Sequence, residues 1–302
     1  MKVLVLQSLP PEAPGDGRHA WEFDLSEAAA SIVEILPETS VASVRGSPAE
    51  VFEVLSKHQP DVVFNLCEAP LGRTDREAHV AALLEWLGIR FTGCGSETLA
   101  LCRRKDFATA VLAANGVAVP RSDCFPCIVK PASEHGSVGL NHGSVCEDPG
   151  AVEVARAKWD GPVLVQEFLP GREFVISLWG NSGPDFFSIG EMLFKGGLRI
   201  NTYAAKWEVE SADYANSPIS YTTPTEAGLR DALLDAARGA WQAVGARGYL
   251  RVDVRLDSEG TPRVMDVNAN PSVSPEVGMH RAVTEAGWTW QRFVQLQIEW
   301  AR

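Results

Sequence analysis

Apolar and polar positions along the chain follow two regimes. Through the first hundred residues, short apolar runs alternate with stretches of helical spacing. Residues 2–6 form a run suited to a buried strand, and Pro10–Gly17 breaks it. Trp21 to Leu36 then carries Phe23, Ala28, Ile32 and Ile35 at helical intervals. Ser40–Val44 predicts a short strand, Pro48–Lys57 a helix, Asp61–Leu66 a strand, and Arg76–Leu87 a helix ending at Gly88. Strands and helices alternating at this length predict a small doubly wound α/β domain with a parallel sheet. Such sheets bind ligands beyond the carboxyl ends of their strands. That rule marks Gln7, Ser8, the segment from Asn65 to Glu68 and the loop Ala69–Thr74.

Beyond residue 100 the pattern changes. Lys105–Asn115 predicts a helix, broken at Gly116 and Pro120. Cys127–Pro131 predicts a strand that ends in Lys130 and runs into the small-residue loop Ala132–Gly139. Backbone amides in such a loop approach phosphate oxygens closely, although a plain turn reads the same way. The lysine precedes the glycines, so this is not a Walker loop. Pro162–Leu178 predicts two strands joined at Pro170 and Gly171, with Gln166, Glu167 and Glu173 on or beside the connection. Gly196–Ser217 has weak periodicity and predicts a long mobile loop around Lys206 and Trp207. Thr225–Val244 is an amphipathic helix, and Val283–Trp300 a closing one.

Between those two helices lies a hairpin. Tyr249–Leu256 and Arg263–Val267 flank the turn residues from Asp257 to Gly260. Side chains two apart share a strand face. Arg251 and Asp253 therefore point one way on the first strand, as do Asp266 and Asn268 on the second. In the natural register all four meet on one face. Three oxygen donors beside a guanidinium suit a hard divalent cation carrying phosphate oxygens, while the same alternation also describes a solvated hairpin.

Composition narrows the classes. The net charge of −12 and 45% hydrophobic content describe a globular chain of 302 residues, not a general binder of nucleic acid or anionic membrane. The start is broken too soon by Pro10 and Pro11 for a signal peptide, and no apolar run approaches a membrane span. Six scattered cysteines fit a reducing compartment. Cys124 and Cys127 have redox-motif spacing, but a strand follows them instead of a helix. A soluble, cytoplasmic protein is expected.

Taken in order, these motifs resemble the ATP-grasp superfamily, and within it the D-alanine–D-alanine ligases. The resemblance runs from about Asp61 to Pro275. It is carried by Val63–Glu68, Leu83–Gly93, Lys105, Lys130 with Pro131, Gly136–Gly139, Ala205 to Trp207, and the hairpin with Asn270 and Pro271 after it. It implies a mixed α/β and α+β fold, with an N-terminal Rossmann-like (pre-ATP-grasp) domain and then a two-part ATP-grasp fold. The expected divisions are 1–100 on the substrate side, 101–179 as the ATP-grasp lid and 180–302 as the catalytic subdomain.

The resemblance also implies roles. Lys105 and Lys130 hold the α- and β-phosphates of ATP; Gln166 faces the adenine amino group with Glu167 and Leu169 beside it; Glu173 holds the ribose. Asp253, Asp266 and Asn268 hold two Mg²⁺ ions, with Mn²⁺ able to substitute, and Lys206 reaches the γ-phosphate. Ser137 belongs to the phosphate-covering loop, and Trp207 lies on the substrate side. Phosphoryl transfer to a carboxylate gives an acyl phosphate, whose leaving group is phosphate instead of oxide. Arg251 and a backbone amide near Ser272 then stabilise the oxyanion as an amine attacks, and ADP and phosphate leave.

Departures gather where substrates bind. Glu22 stands near the family's substrate-amine glutamate, and Glu68 where those ligases carry a histidine, which favours an ammonium or guanidinium group. Gly136 replaces the first of a serine pair, Ser272 a glycine and Asp266 a glutamate. The expected function is an ATP-dependent carboxylate–amine ligase for an amino acid or peptide, working as a homo-oligomer, a dimer first. Its alternatives are a D-alanine–D-alanine ligase proper, an intramolecular cyclo-ligase, and a non-catalytic ATP-binding protein.

Overall fold

The computed structural model describes residues 1–9, 25–36, 38–134, 136–196, 199–208, 210–221, 226 and 228–302. The first regime builds β1 (Val3–Ser8), α1 (Ser26–Ile35), β2 (Ser40–Val44), α2 (Pro48–His58), β3 (Val62–Leu66), α3 (Glu77–Trp86) and β4 (Arg90–Phe91). The four strands make one parallel sheet in the order β2-β1-β3-β4. Every residue of β3 is buried, as a strand covered on both faces requires. Helix α2 starts where Ser47 caps it, its hydroxyl accepting from Glu50 N at 3.2 Å, with Pro48 in the first turn.

Next come α4 (Ser96–Arg103), which the sequence reading did not mark, and α5 (Lys105–Ala114). A three-stranded antiparallel sheet follows from β5 (Cys127–Pro131), β6 (Val145–Cys146) and β7 (Val163–Glu167), with α6 (Pro149–Arg156) against it. Then β8 (Glu173–Gly180), β9 (Phe186–Met192), α7 (Tyr203–Trp207), α8 (Ala212–Asn216), β10 (Ile219–Ser220), α9 (Leu229–Ala243), β11 (Gly248–Leu256), β12 (Pro262–Asn268), α10 (Gly278–Glu285) and α11 (Trp290–Trp300) complete the chain. The second antiparallel sheet has the order β10-β9-β8-β11-β12.

Three differences from the sequence reading have physical causes. The division at 179/180 runs through β8, which pairs with β9 and β11 and so belongs to the five-stranded sheet along its whole length. The segment Gly196–Ser217 contains two one-turn helices, each started by a hydroxyl cap from Thr202 and Ser211. The closing helix is two helices, because Gly287 takes a left-handed φ of 80° and Thr289 caps a new start.

One apolar cluster joins a face of the parallel sheet (Leu4, Leu6, Val63) to the five-stranded sheet (Ile176, Leu178, Leu250, Val252) and α9 (Leu233, Leu234, Trp241). The three-stranded sheet has its own small core of Cys127, Val129, Cys146, Val152 and Ala155. The two antiparallel sheets face each other across a cleft.

Candidate active site

The hairpin forms in the register that the alternation predicts. Arg251 lies opposite Asn268 and Asp253 opposite Asp266. A bulge between Asp253 and Val254 leaves Met265 without a partner across the strand. That extra residue lets Val264 and Val267, three apart, both enter the core, while Asp266 and Asn268 face the cleft. Its backbone is used as well, since Lys130 Nζ donates to the Met265 carbonyl at 3.2 Å.

The cleft between the sheets has a volume of about 930 Å³, open solvent included. One end of its lining carries Lys105, Lys130, Ser137, Lys206, Arg251, Asp253, Asp266 and Asn268. Gln166, Glu167, Leu169 and Glu173 line the other end. The fold thus brings thirteen sequence positions expected at a nucleotide site, Gly136 among them, to one cavity. Of the remaining expected residues, Ser272, Glu68 and Trp207 are not on that lining, and Glu22 lies outside the described residues.

At the hairpin, Lys105, Lys130, Lys206 and Arg251 line the cleft with Asp253 and Asp266. Lys105 Nζ pairs with Asp266 Oδ2 at 2.9 Å, and Arg251 grips Asp253 through two hydrogen bonds of 2.8 and 3.0 Å. Lys130 and Lys206 have no carboxylate partner of their own among the described residues. Burial pulls both ammonium groups down to about 8, and for Lys206 the nearby Arg251 adds to the effect. A polyanion relieves this crowding of positive charge.

The far end suits a purine. Ile128, Val138, Phe168, Leu169, Ile200 and Met265 give it apolar walls. Gln166 is 3% exposed, and its carboxamide oxygen has no hydrogen-bond donor. A buried acceptor without a donor is costly unless a ligand supplies one, and an exocyclic amine does. Glu173 is buried opposite Arg255, whose Nη1 stands 3.4 Å from Oε2, and burial raises its carboxyl above the ordinary value. The Glu167 carboxylate is taken by Arg121 at 2.6 and 3.0 Å, and its backbone N donates to the Arg121 carbonyl at 2.8 Å.

The sequence reading missed Arg255. It continues the alternation of Arg251 and Asp253 onto the same face, is 3% exposed, and sits 5.0 Å from the Phe168 ring. That periodicity was the available signal. It also missed the buried Glu77 at the lip of the parallel sheet. Glu77, at the start of α3, accepts from Asn270 Nδ2 at 2.6 Å, and Asn270 Oδ1 accepts from Tyr249 at 3.2 Å. Burial raises Glu77 to about 8, against the opposing charge of Arg103, and Glu68 to about 7. Ser272 holds the entry to α10, its carbonyl accepting from Met279 N at 2.7 Å.

For a divalent cation the donor set is two carboxylates and an amide oxygen on one hairpin face. Among the described residues no three His, Cys, Asp or Glu side chains cluster to hold a metal by themselves. Such a set suits Mg²⁺, which completes its shell with water and phosphate oxygens.

A nucleotide-sized cleft between two antiparallel sheets, floored by this hairpin and preceded by a parallel-sheet domain, defines the ATP-grasp class. Residues 103–299 match the family model described as D-ala D-ala ligase C-terminus. The chain belongs to the D-alanine–D-alanine ligase family. A D-alanine–D-alanine ligase of Stutzerimonas stutzeri (strain A1501) is 32% identical over 241 residues, covering 74% of this chain and 73% of that protein. One from Gloeobacter violaceus is 26% identical over 299 residues, covering 87% of this chain and 95% of that one. The crystal structure of D-alanine–D-alanine ligase from Bacillus anthracis superposes with a TM-score of 0.73 at 19% identity, over 99% of this chain and 96% of that one. VanG D-Ala:D-Ser ligase from Enterococcus faecalis does so with a TM-score of 0.72 at 17% identity and 99% coverage of both chains.

Proposed function

We propose that this ATP-dependent carboxylate–amine ligase activates its carboxylate as an acyl phosphate and releases ADP and phosphate as the amide forms. The observation that carries this reading is the hairpin register, which sets Arg251, Asp253, Asp266 and Asn268 on one face across from Lys105 and Lys130. Nucleotide binding alone has no use for a half-buried guanidinium beside the carboxylates of the hairpin.

Each residue has a task. Gln166 accepts from the adenine amino group, and Glu173 holds the ribose. Lys105 and Lys130 screen the phosphates, exchanging Asp266 and the Met265 carbonyl for phosphate oxygens. Asp253, Asp266 and Asn268 would hold Mg²⁺, which when bound would supply positive charge to the phosphates. Lys206 approaches the γ-phosphate from α7. Arg251, released from part of its grip on Asp253, stabilises the oxyanion of the tetrahedral intermediate. The closed cleft excludes water, which would hydrolyse the acyl phosphate.

The parallel-sheet domain supplies the substrate wall. The half-buried Glu68 and the buried Glu77 suit a substrate amine or guanidinium more than a second carboxylate. This favours a substrate that presents a cation to the sheet. An assay of ADP release over a panel of amino acids and dipeptides, run on the wild type and on Glu68→Gln, tests it. The variant should raise the substrate KM about tenfold or more, as expected for losing a charged hydrogen bond, with ATP affinity unchanged. Equal loss of both affinities refutes the placement of Glu68.

A further inference from the structure

The cleft face of the five-stranded sheet extends sideways from the hairpin to β10. Strand pairing sets Arg251 in one row with Ser177 and Ser188, and Asp253 in the next with Val175 and Gly190. Ile176, Leu178 and Ile189 point to the opposite side, into the main core. Between Arg251 and the sheet edge the cleft face therefore carries only small side chains, which leaves a trough. Ser177 and Ser188 are 2% and 6% exposed, and among the described residues neither hydroxyl has a hydrogen-bond partner. Such buried hydroxyls are costly unless a ligand completes them. One row farther on, Tyr249 and Trp179 join an apolar core with Val273 and Met279, which closes the trough on that side.

The far edge of the trough carries a cation. Ile219 of β10 pairs with Met192, and two residues on, the Tyr221 ring lies over Gly190, where a Cβ would stand 3.1 Å from Cε1 and 3.3 Å from Cζ of that ring. Gly190 is the seat of the ring. The Arg281 guanidinium, from α10, lies over the same ring with Cζ 5.1 Å from its centroid. Only part of that group is engaged. Its Nη2 donates to the Ile219 carbonyl at 3.2 Å, and its Nε stands 3.8 Å from the Glu285 carboxylate. A guanidinium offers a planar fork of N–H donors that fits a carboxylate, and the half-exposed Arg281 has donors to spare. Burial raises the Tyr221 phenol, while Arg281 and then Arg251 oppose the rise, so the ring lies within the field of both guanidinium groups.

We infer that Arg281, seated on Tyr221, anchors the carboxylate of the acceptor amine, and that this acceptor has the length of a dipeptide. The inference rests on the ligase reading, which puts bond formation beside Arg251. Strands β11 and β10 are three strand spacings apart, about 14 Å. Each arginine holds its oxygen about 3 Å away, so roughly 8 Å of trough remains between them. An α-amino acid has a single carbon between amine and carboxylate and is too short. An extended chain advances about 3.5 Å per residue, so two residues fit. The internal peptide group would then pass over Ser177 and Ser188, whose hydroxyls can serve it.

The probes are dipeptides of both chiralities, each as free acid and as C-terminal amide, beside the free amino acids. Two readouts apply: calorimetric binding to the protein with ADP and Mg²⁺, and stimulation of ADP release from ATP. In the wild type a free dipeptide should bind and turn over at least about tenfold better than its amide, as expected for a charged hydrogen bond, and better than the single amino acids. Arg281→Gln should erase the acid-over-amide preference while KM for ATP holds. Arg281→Lys keeps the charge without the fork and should keep part of the preference. If Arg281 only clamps α10 to β10, Arg281→Gln weakens acid and amide alike and the preference survives, which overturns the anchor. Equal binding of acid and amide by the wild type overturns it as well, and a wild type that favours single amino acids overturns the length. Should Arg281→Gln not fold, Tyr221→Leu removes the seat and should shrink the same preference; an undiminished preference there counts against the proposal. If no amine stimulates ADP release, the ligase reading fails instead, and the calorimetric comparison still decides whether Arg281 binds a carboxylate.

Discussion

At the scale of single residues, the site holds its groups in ionisation states that folding alone disfavours. Lys206 has an ordinary value of 10.5 and is drawn down to about 8. Below pH 8 it is charged in the folded and unfolded chain alike, and the folded protein bears the full burial penalty. Between about 8 and 10.5 the unfolded chain binds more protons, so stability rises with pH. Lys206→Met should therefore raise the melting temperature of the nucleotide-free protein most below pH 8, the gain shrinking towards pH 10.5, and should abolish turnover. A variant less stable than the wild type at pH 7 would mean that the lysine is compensated. Glu77 has the opposite sign. Its folded value of about 8 lies above the ordinary 4.5, so its contribution is fully present below pH 4.5 and is lost as pH rises through 8. Glu77→Gln keeps an acceptor for Asn270 and should be more stable than the wild type above pH 8. Parallel melting curves for the two proteins across pH 5–9 would contradict this.

At the scale of elements, the contrast between the two antiparallel sheets sets the dynamics. Strand β8 is buried along its whole length within the main core, whereas β5 to β7 rest on a core of a few small side chains. Regions with few buried apolar contacts open at lower free energy. Amides of β5 and β7 should exchange faster than those of β8 and β11 without nucleotide, and should slow on adding ATP with Mg²⁺. Uniform protection in both states would remove the lid from the account. The same contrast governs what the sequence made legible. The hairpin was readable because period-two alternation places Arg251 with Asp253 and Asp266 with Asn268, and one polar face admits only one register. Its bulge was not read, although Val264 and Val267 stand at odd spacing. Helix α4 escaped because its apolar face lacks length. The caps of α7 and α8 escaped because Thr202 and Ser211 sit in a stretch with no periodicity. The boundary at 179/180 failed because strand order cannot be read from apolar runs: β7 and β8 are neighbours in sequence and belong to different sheets.

At the scale of the whole molecule, the parts fit one chemistry. The parallel sheet shares its core with the five-stranded sheet, so the lip of the parallel sheet is rigidly placed against the hairpin. Asn270 extends that continuity, its side chain binding Glu77 and its backbone N donating to Asn268 Oδ1 at 2.9 Å. Among the described residues no helix is long and apolar enough to cross a membrane. The family resemblance read from motif order agrees with the match over residues 103–299, because the residues that grip ATP have fixed spacing and fixed chemistry. The contact of Glu77, Asn270 and Tyr249 was less legible, since its members meet from distant parts of the chain. The central claim is that a carboxylate oxygen is transferred to phosphate on the way to the amide. The most direct test is turnover of a substrate labelled with ¹⁸O in its carboxylate, followed by mass analysis of the released phosphate. An acyl-phosphate route puts one labelled oxygen into inorganic phosphate, with ADP as the other product. Unlabelled phosphate, or AMP carrying the label with release of pyrophosphate, would contradict it.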